Sequence, residues 1–480
     1  MNQNPWLIDM KKFLSSSLLV FLLSAVAVPA IADSSVPTLR VDYFHSGNAD
    51  MEMFSLHQVV IEPLPWPGNP DKALDTTNRG HFLLQVEHPG SGEVLYSRGF
   101  SSIFQEWQST GEAQKMNRTF HESVRFPKPE EPVRLRILKR DEAQEFGSLW
   151  AVDIDPDDML VVRAHAPAPA PLMEIHNSGA PAGKVDVVLL GDGYSAEEAD
   201  KFEADARRLT RALFTYSPFR ERADDFNVWG LNPVAVESGV NRPSNGTFRH
   251  SPSGTTYDAF RAERYVLAFD NLGMRRILQH APYEFIIVLG NSKTYGGGGI
   301  YGLYSTVAAD SEWSEYLFVH EFGHHFAALA DEYYTSAAVY EPTAERPEPW
   351  EPNVTALHDP DHLKWGDLVE KGTALPTEWP KAAFEEFQRE NQARRARLRA
   401  DNRPESEMNQ LFRDEQKWVH ELFAQSPATN AVVGAFEGAN YAATGYFRSE
   451  MNCTMFTRHT RFCQVCRNAL EEIIDLYTDD

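Results

Sequence analysis

Three cysteines in 480 residues are too few for a disulfide-built scaffold. All three lie near the C-terminus, at Cys453, Cys463 and Cys466. Positive charge is also scarce. Lys and Arg total 45 against 69 Asp and Glu, for a net charge of −24. That balance argues against nucleic acid or an anionic membrane surface as the main partner. Long apolar runs are missing after the first thirty residues, and none approaches the roughly 20 residues of a membrane span. No span is therefore expected in the mature chain.

The first 32 residues read as a signal peptide. Lys11 and Lys12 form a basic start, Phe13 to Val28 is apolar with serines, and Ala30-Ile31-Ala32 is a small-residue cleavage site before Asp33. A start at Met10 would make this segment more typical and leave residues 1–9 as an upstream extension. Export to the periplasm or beyond is the expectation. In an oxidising compartment one disulfide, joining Cys453 to Cys463 or Cys466, is expected, with one thiol left over. Cys463-x-x-Cys466 also has the spacing of half a zinc site, but no second half stands out in the sequence.

The remaining chain, about 450 residues, has room for two or three domains. Residues 33–163 alternate apolar and polar side chains over short stretches separated by Gly, Pro and Asn. Leu39–Tyr43, Phe82–Val86, Val133–Leu138 and Leu149–Ile154 are examples, and the pattern predicts a β-sandwich. Nothing in it has a catalytic pattern. Residues 164–183 include the alternating Ala166-Pro167-Ala168-Pro169-Ala170-Pro171 tract and read as a stiff linker.

From 184 to 480 strands alternate with helices, the mark of an α/β domain. Strands are expected at Val185–Leu190, Phe226–Leu231 and Phe285–Leu289, with helices from Ser195 to Tyr216 and from Tyr265 to Gln279. Gly296 to Gly299 precede Ile300–Val307 and would let another backbone approach closely, as in an edge strand that pairs with an extended peptide or simply a flexible connection. Residues 380–423 are charged and poor in proline, with an arginine-rich run at Arg394–Arg399. They read as solvated helices inserted into the domain or lying over it. The whole is an α+β multi-domain chain.

One stretch carries chemistry: His320-Glu321-Phe322-Gly323-His324. Histidines four apart on a helix share a face and can hold one metal ion, and the intervening glutamate can act on the attacking water. This H-E-x-x-H pattern is that of zinc metallopeptidases. The surrounding helix, Trp313 to Leu329, is apolar nearly all round and so buried. Buried His and Glu need partners, and a metal supplies one. Asp310 or Ser311 could cap the helix.

Asp331 is the expected third ligand, with Glu332 its rival and an acid elsewhere in the chain a further option. On an unbroken helix Asp331 would lie about 10 Å from His324. For Asp331 to serve, the helix must end near Leu329 or Ala330 and the chain must turn back.

These residues, with Val187–Tyr194, Pro352-Asn353-Val354-Thr355, Lys364-Trp365, Phe436–Ala439, Asn452–Met455 and Phe462–Cys466, resemble the IgA-peptidase family of secreted bacterial zinc metallopeptidases. The resemblance runs from 183 to 480, behind an N-terminal domain of the family's usual kind. It implies a metzincin-like zincin core and one catalytic Zn2+. His320 and His324 would be ligands, Glu321 the general base, and the acid pair Asp331-Glu332 the source of the third ligand. Met455 would be a Met-turn residue beneath the metal. The substrate it implies is a protein or peptide. Two departures stand out. The glycine that usually turns the chain after the motif is missing, and the acid lies eleven residues after the first histidine rather than ten. Tyr441 or Tyr446 could stabilise an oxyanion. The rival reading is an exported binding or adhesion protein whose zinc site is structural or degenerate. Glu321 weighs against it, since a structural site needs no base.

Overall fold

The computed structural model describes residues 36–336, 346–426 and 432–479; the expected signal peptide lies outside them. The N-terminal part is sheet-rich. Its strands are β1 (Pro37–Gly47), β2 (Glu52–Pro65), β3 (Phe82–Glu87) and β4 (Val94–Phe100), then, after the short helix α1 (Ile103–Gln108), β5 (Arg118–Pro127), β6 (Val133–Arg140), β7 (Phe146–Ile154) and β8 (Val162–Arg163). They make two four-stranded sheets, ordered β5-β1-β2-β8 and β4-β3-β6-β7. The inward residues of both meet in one core: Leu39, Val41 and Val124 from the first, Leu84, Val86 and Leu135 from the second. Period-2 alternation makes this possible, because successive side chains point to opposite faces.

A mixed α/β unit follows. Its elements are β9 (Met173–His176), β10 (Val185–Asp192), α2 (Ala199–Leu213), β11 (Phe226–Leu231), the two-residue β12 (Thr255–Thr256) and β13 (Leu267–Ala268), α3 (Asn271–Leu278), β14 (Phe285–Gly290), β15 (Gly297–Ile300), β16 (Tyr304–Ala308) and α4 (Ser314–Ala327). Then come β17 (Val354–Thr355), α5 (Lys381–Ala400), α6 (Glu405–Ala424), β18 (Phe436–Ala439), β19 (Ala442–Arg448) and α7 (Gln464–Tyr477). The main sheet is ordered β15-β16-β14-β10-β11-β9. Its four central strands run parallel, and the two edges, β15 and β9, run antiparallel to them.

Val187 and Leu189 point to one face, where α2, α4 and α7 pack. Val188 and Leu190 point to the other, where α3 packs together with Phe104, Trp107 and Phe120 of the N-terminal part. Both faces are covered, which is why these strands read as unbroken apolar runs.

Several sequence expectations shift. Met173–His176, read as linker, forms the β9 edge of the main sheet. The helix expected from Tyr265 starts only at Asn271, because Asp270 accepts the Gly273 N–H as its N-cap and Leu267–Ala268 pairs as strand. Helix α4 begins at Ser314, with no side chain bonded at its N-cap position; Ser311 accepts the Trp313 N–H in the preceding turn. The charged helices α5 and α6 are solvated on one side only. Phe384, Met408, Leu411, Phe412, Val419 and Phe423 join the main core. Among the described residues, no helix is long and apolar enough to cross a membrane.

Candidate active site

Helix α4 is buried on almost every side and lies against the β15 edge. The contact depends on glycine. A Cβ on residue 299 would sit 2.3 Å from the Glu321 carbonyl oxygen, and one on residue 297 would sit 3.0 Å from the Glu321 side chain. The edge is not open along its length, because Gly297 exchanges backbone hydrogen bonds with Arg264 and Val266. Gly299 lies farther along the same strand, beside a cavity of about 170 Å³ that His320, Glu321, His324 and Asp331 help to line.

The chain does turn back after α4, and an alanine does what the missing glycine would. Ala328 adopts φ 57° and ψ 33°, a left-handed conformation usually left to glycine at a helix end. Its N–H bonds the His324 carbonyl, and Leu329 N–H bonds that of Gly323. The fully buried Asn353 then clamps Ala330, accepting its N–H at 2.8 Å and donating to its carbonyl at 3.0 Å. From there the backbone is tied to two other segments. Asp331 O accepts from Asn440 N–H, and Glu332 N–H donates to Met455 O.

This path brings three atoms into a triangle: His320 Nε2, His324 Nε2 and Asp331 Oδ1, with all three separations 3.2 Å. The opposite ring nitrogens are engaged. His320 Nδ1 lies 3.1 Å from Thr454 O, and His324 Nδ1 bonds the Leu329 carbonyl. Their protons therefore sit on Nδ1, and both Nε2 atoms present lone pairs. Asp331 Oδ1 is buried and receives no hydrogen bond among the described residues. Three electron-rich atoms converge on a point that wants a positive charge. Burial pushes the His324 imidazole down, but Asp331 and Glu321 outweigh it and lift it to about 9. Burial likewise raises the Asp331 carboxyl, yet the two histidines hold it well below the usual range. Glu321 goes the other way. Burial raises it, and the histidines offset only part of that.

The underside of the site is formed by Thr454 and Met455. Met455 is fully buried, and its Sδ would lie 3.1 Å from a Cβ on Gly323. Tyr441 sits at the cavity and donates to Asp331 Oδ2, while Tyr333 OH lies 3.2 Å from Tyr441 OH. Tyr446 donates instead to Pro347 O and does not line the cavity.

Glu332 parts company with Asp331. It is fully buried, does not line the cavity, and meets Asn353, Cys463 and Cys466. The expected disulfide is not made: Cys453, Cys463 and Cys466 are all free and buried. Cys453 Sγ lies 3.8 Å from Cys466 Sγ, and the thiols gather around Glu332 instead.

Two contributors were missed in the sequence. The third histidine of the run, His325, faces the sheet. It accepts from Ile286 N–H through Nε2 and donates to Ile300 O through Nδ1, joining α4 to β14 and to the end of β15. Burial depresses it to about 3, so it is neutral. The N-terminal part also reaches the cavity, through Ser101 and Glu106. Glu106 rides on α1 and has Tyr265 OH at 3.4 Å; burial raises its carboxyl to about 7. A short helix after a strand carries no local signal of this.

Residues 173–474 match the profile of the family described as IgA Peptidase M64, and residues 33–151 match its Peptidase M64 N-terminus. No curated protein matches the chain.

Proposed function

This chain belongs to the IgA Peptidase M64 family, and from that premise we propose that it is an exported zinc-dependent endopeptidase with a metzincin-like site. The observation that carries the reading is the His320–His324–Asp331 triangle with Glu321 beside it. The triangle fits zinc. Ligands at about 2.0–2.1 Å in tetrahedral array stand about 3.3 Å apart, close to the 3.2 Å edges here. Carbonyl-anchored Nδ1 protons are the usual outer support of zinc-binding imidazoles.

When bound, zinc supplies Lewis acidity, lowering the pKa of water and polarising a carbonyl. The chain does the rest. Glu321, held against the glycine strand, accepts the proton of the attacking water and passes it to the leaving amine. Tyr441 and Tyr333 stand where a hydroxyl can meet negative charge growing on the carbonyl oxygen. A protein substrate lies extended past Gly299, its main chain beside the strand edge. Glu321 also separates this reading from a binding protein with a purely structural metal.

Hydrolysis of casein or gelatin, measured with zinc content in the same samples, tests the proposal. Activity should vanish with a chelator and return with added zinc. A zinc-loaded protein that cleaves no member of a broad panel of exported proteins would overturn it.

A further inference from the structure

Glu332, Cys453, Cys463 and Cys466 come from three separate parts of the chain and converge in the core. Each offers one ligand atom, and these atoms all lie within 4.8 Å of one another. All four side chains are fully buried. Sγ of Cys453 and Cys466 are 3.8 Å apart, Cys463 Sγ is 3.8 Å from Glu332 Oε1, and Cys466 Sγ is 3.4 Å from the same oxygen. A tetrahedral zinc with Zn–S of about 2.3 Å and Zn–O of about 2.1 Å has S···S edges of about 3.8 Å and S···O edges of about 3.6 Å. The three separations above lie within about 0.2 Å of these edges, and the remaining ones are bounded at 4.8 Å.

A second observation points to a ligand. Glu332 Oε1, the oxygen nearest the sulfurs, also accepts from Asn353 Nδ2 at 3.0 Å, while Oε2 of the same buried carboxylate has no hydrogen-bond partner among the described residues. Such an atom is costly unless something positive meets it. Cys463 Sγ caps α7, accepting from the Cys466 N–H, so the helix N-terminus also favours a thiolate there. The surroundings can carry the charge: Arg448, fully buried, lies near enough to interact with Glu332, Cys453 and Cys463.

We infer that these four residues form a second, closed zinc site of structural type, with three cysteine sulfurs and one glutamate oxygen. Binding displaces whatever protons the four ligand groups still carry, which leave to solvent, and no oxidation state changes, so no oxidant is needed. The site stands behind the catalytic one and shares its chain segments. Asp331 and Glu332 are consecutive. So are Cys453, Thr454 and Met455, where Thr454 O receives the His320 ring and Met455 O the Glu332 N–H. An ion there would hold both strands that position the first metal's ligands, and would keep the thiols from oxidation in an exported protein.

The test uses the full mature chain, isolated without chelator. Wild type should carry about two zinc ions per chain. The His320→Ala/His324→Ala variant should keep about one, with X-ray absorption showing sulfur neighbours at about 2.3 Å. A thiol-blocking mercurial should release that ion from both proteins. Cys463→Ser/Cys466→Ser should lose it while keeping the His-bound ion; if that variant does not fold, the wild-type and histidine-variant measurements decide alone. Zinc with only nitrogen and oxygen neighbours, a histidine variant free of zinc, or a disulfide among the three cysteines in the unreduced mass spectrum would each overturn the inference.

Discussion

Asp331 and Glu332 are neighbours in sequence and opposites in surroundings. Asp331 faces a cavity, with two imidazoles on one side and Tyr441 on the other. Glu332 is sealed among sulfur atoms and Asn353. The cause is local geometry. Once α4 ends at Ala328 the chain is tied to Asn440 through Asp331 O and to Met455 through Glu332 N–H, and the two consecutive side chains meet different neighbours. Two acids adjacent in sequence thus stand in different settings, one in an open cluster beside Glu321 and the other in a sealed cluster of sulfur donors.

The strongest blow to the open side is Glu321→Gln. Hydrolysis should fall by about 10²–10⁴-fold with zinc content unchanged, since an amide cannot take the proton. Near-normal turnover in a zinc-loaded variant would remove Glu321 from its role.

The distinction itself is tested by alanine at each acid. Asp331→Ala should empty the histidine site, with an affinity loss exceeding the roughly 10–100-fold that follows loss of an outer-shell partner. Glu332→Ala should strip the zinc proposed at the cysteines and lower occupancy of the histidine site far less than Asp331→Ala does. Metal content of the two proteins, with circular dichroism as a check on folding, gives the answer. Equal losses at both sites would erase the contrast.

A smaller effect is expected at His325, whose ring answers two buried backbone groups. His325→Phe should lower stability by about 1–3 kcal/mol, the cost of unpaired buried partners, as read from denaturant midpoints. An unchanged midpoint would show that the ring is merely filling space.

His45 provides a histidine of the contrary kind. It stacks between Phe54 and Phe104 and touches Glu122 at 3.1 Å and Glu52 at 3.0 Å. Burial pushes its pKa down, but the two carboxylates prevail and the net direction is up. A raised folded pKa stabilises fully below the unfolded value of about 6.5 and ceases to as pH rises through the folded one. Melting temperature should therefore decline over that window in wild type, and the decline should flatten in His45→Gln.

The least effect is expected from Glu106→Gln. It should shift kcat/KM by up to about tenfold, or about 1.4 kcal/mol, mainly through KM and with zinc content intact. Kinetics on one peptide separate the two constants. A collapse of kcat would place Glu106 in the reaction itself.

Much of the site was readable because it is local. His320, Glu321 and His324 are set by one helix, and spacing alone places them on one face. The central strands were readable because burial on both faces makes them continuously apolar. What escaped depends on contacts distant in sequence. Ala328 takes a glycine's conformation because Asn353 and the α4 terminus hold the turn on both sides. The residues that gather with the Cys463-x-x-Cys466 pair are Cys453 and Glu332, the latter 131 residues from Cys463. Glu106 reaches the cavity from the other sheet-rich part, where no periodicity could point to it.

That last placement bears on how the gene can be cut. Ile103, Phe104, Trp107 and Phe120 cover the sheet face formed by Val188, Leu190, Ile286 and Val288. Ser101 N–H bonds Tyr301 O across the same seam. Arg79 reaches over to donate to Ala327 O at the end of α4 and to Ala469 O on α7. Trimming the chain to its peptidase half would strip a wall from the cleft and bare an apolar sheet face to solvent, a surface prone to self-association. The two halves thus share one core, and a shuffled copy of the second without the first would carry that bared face with it.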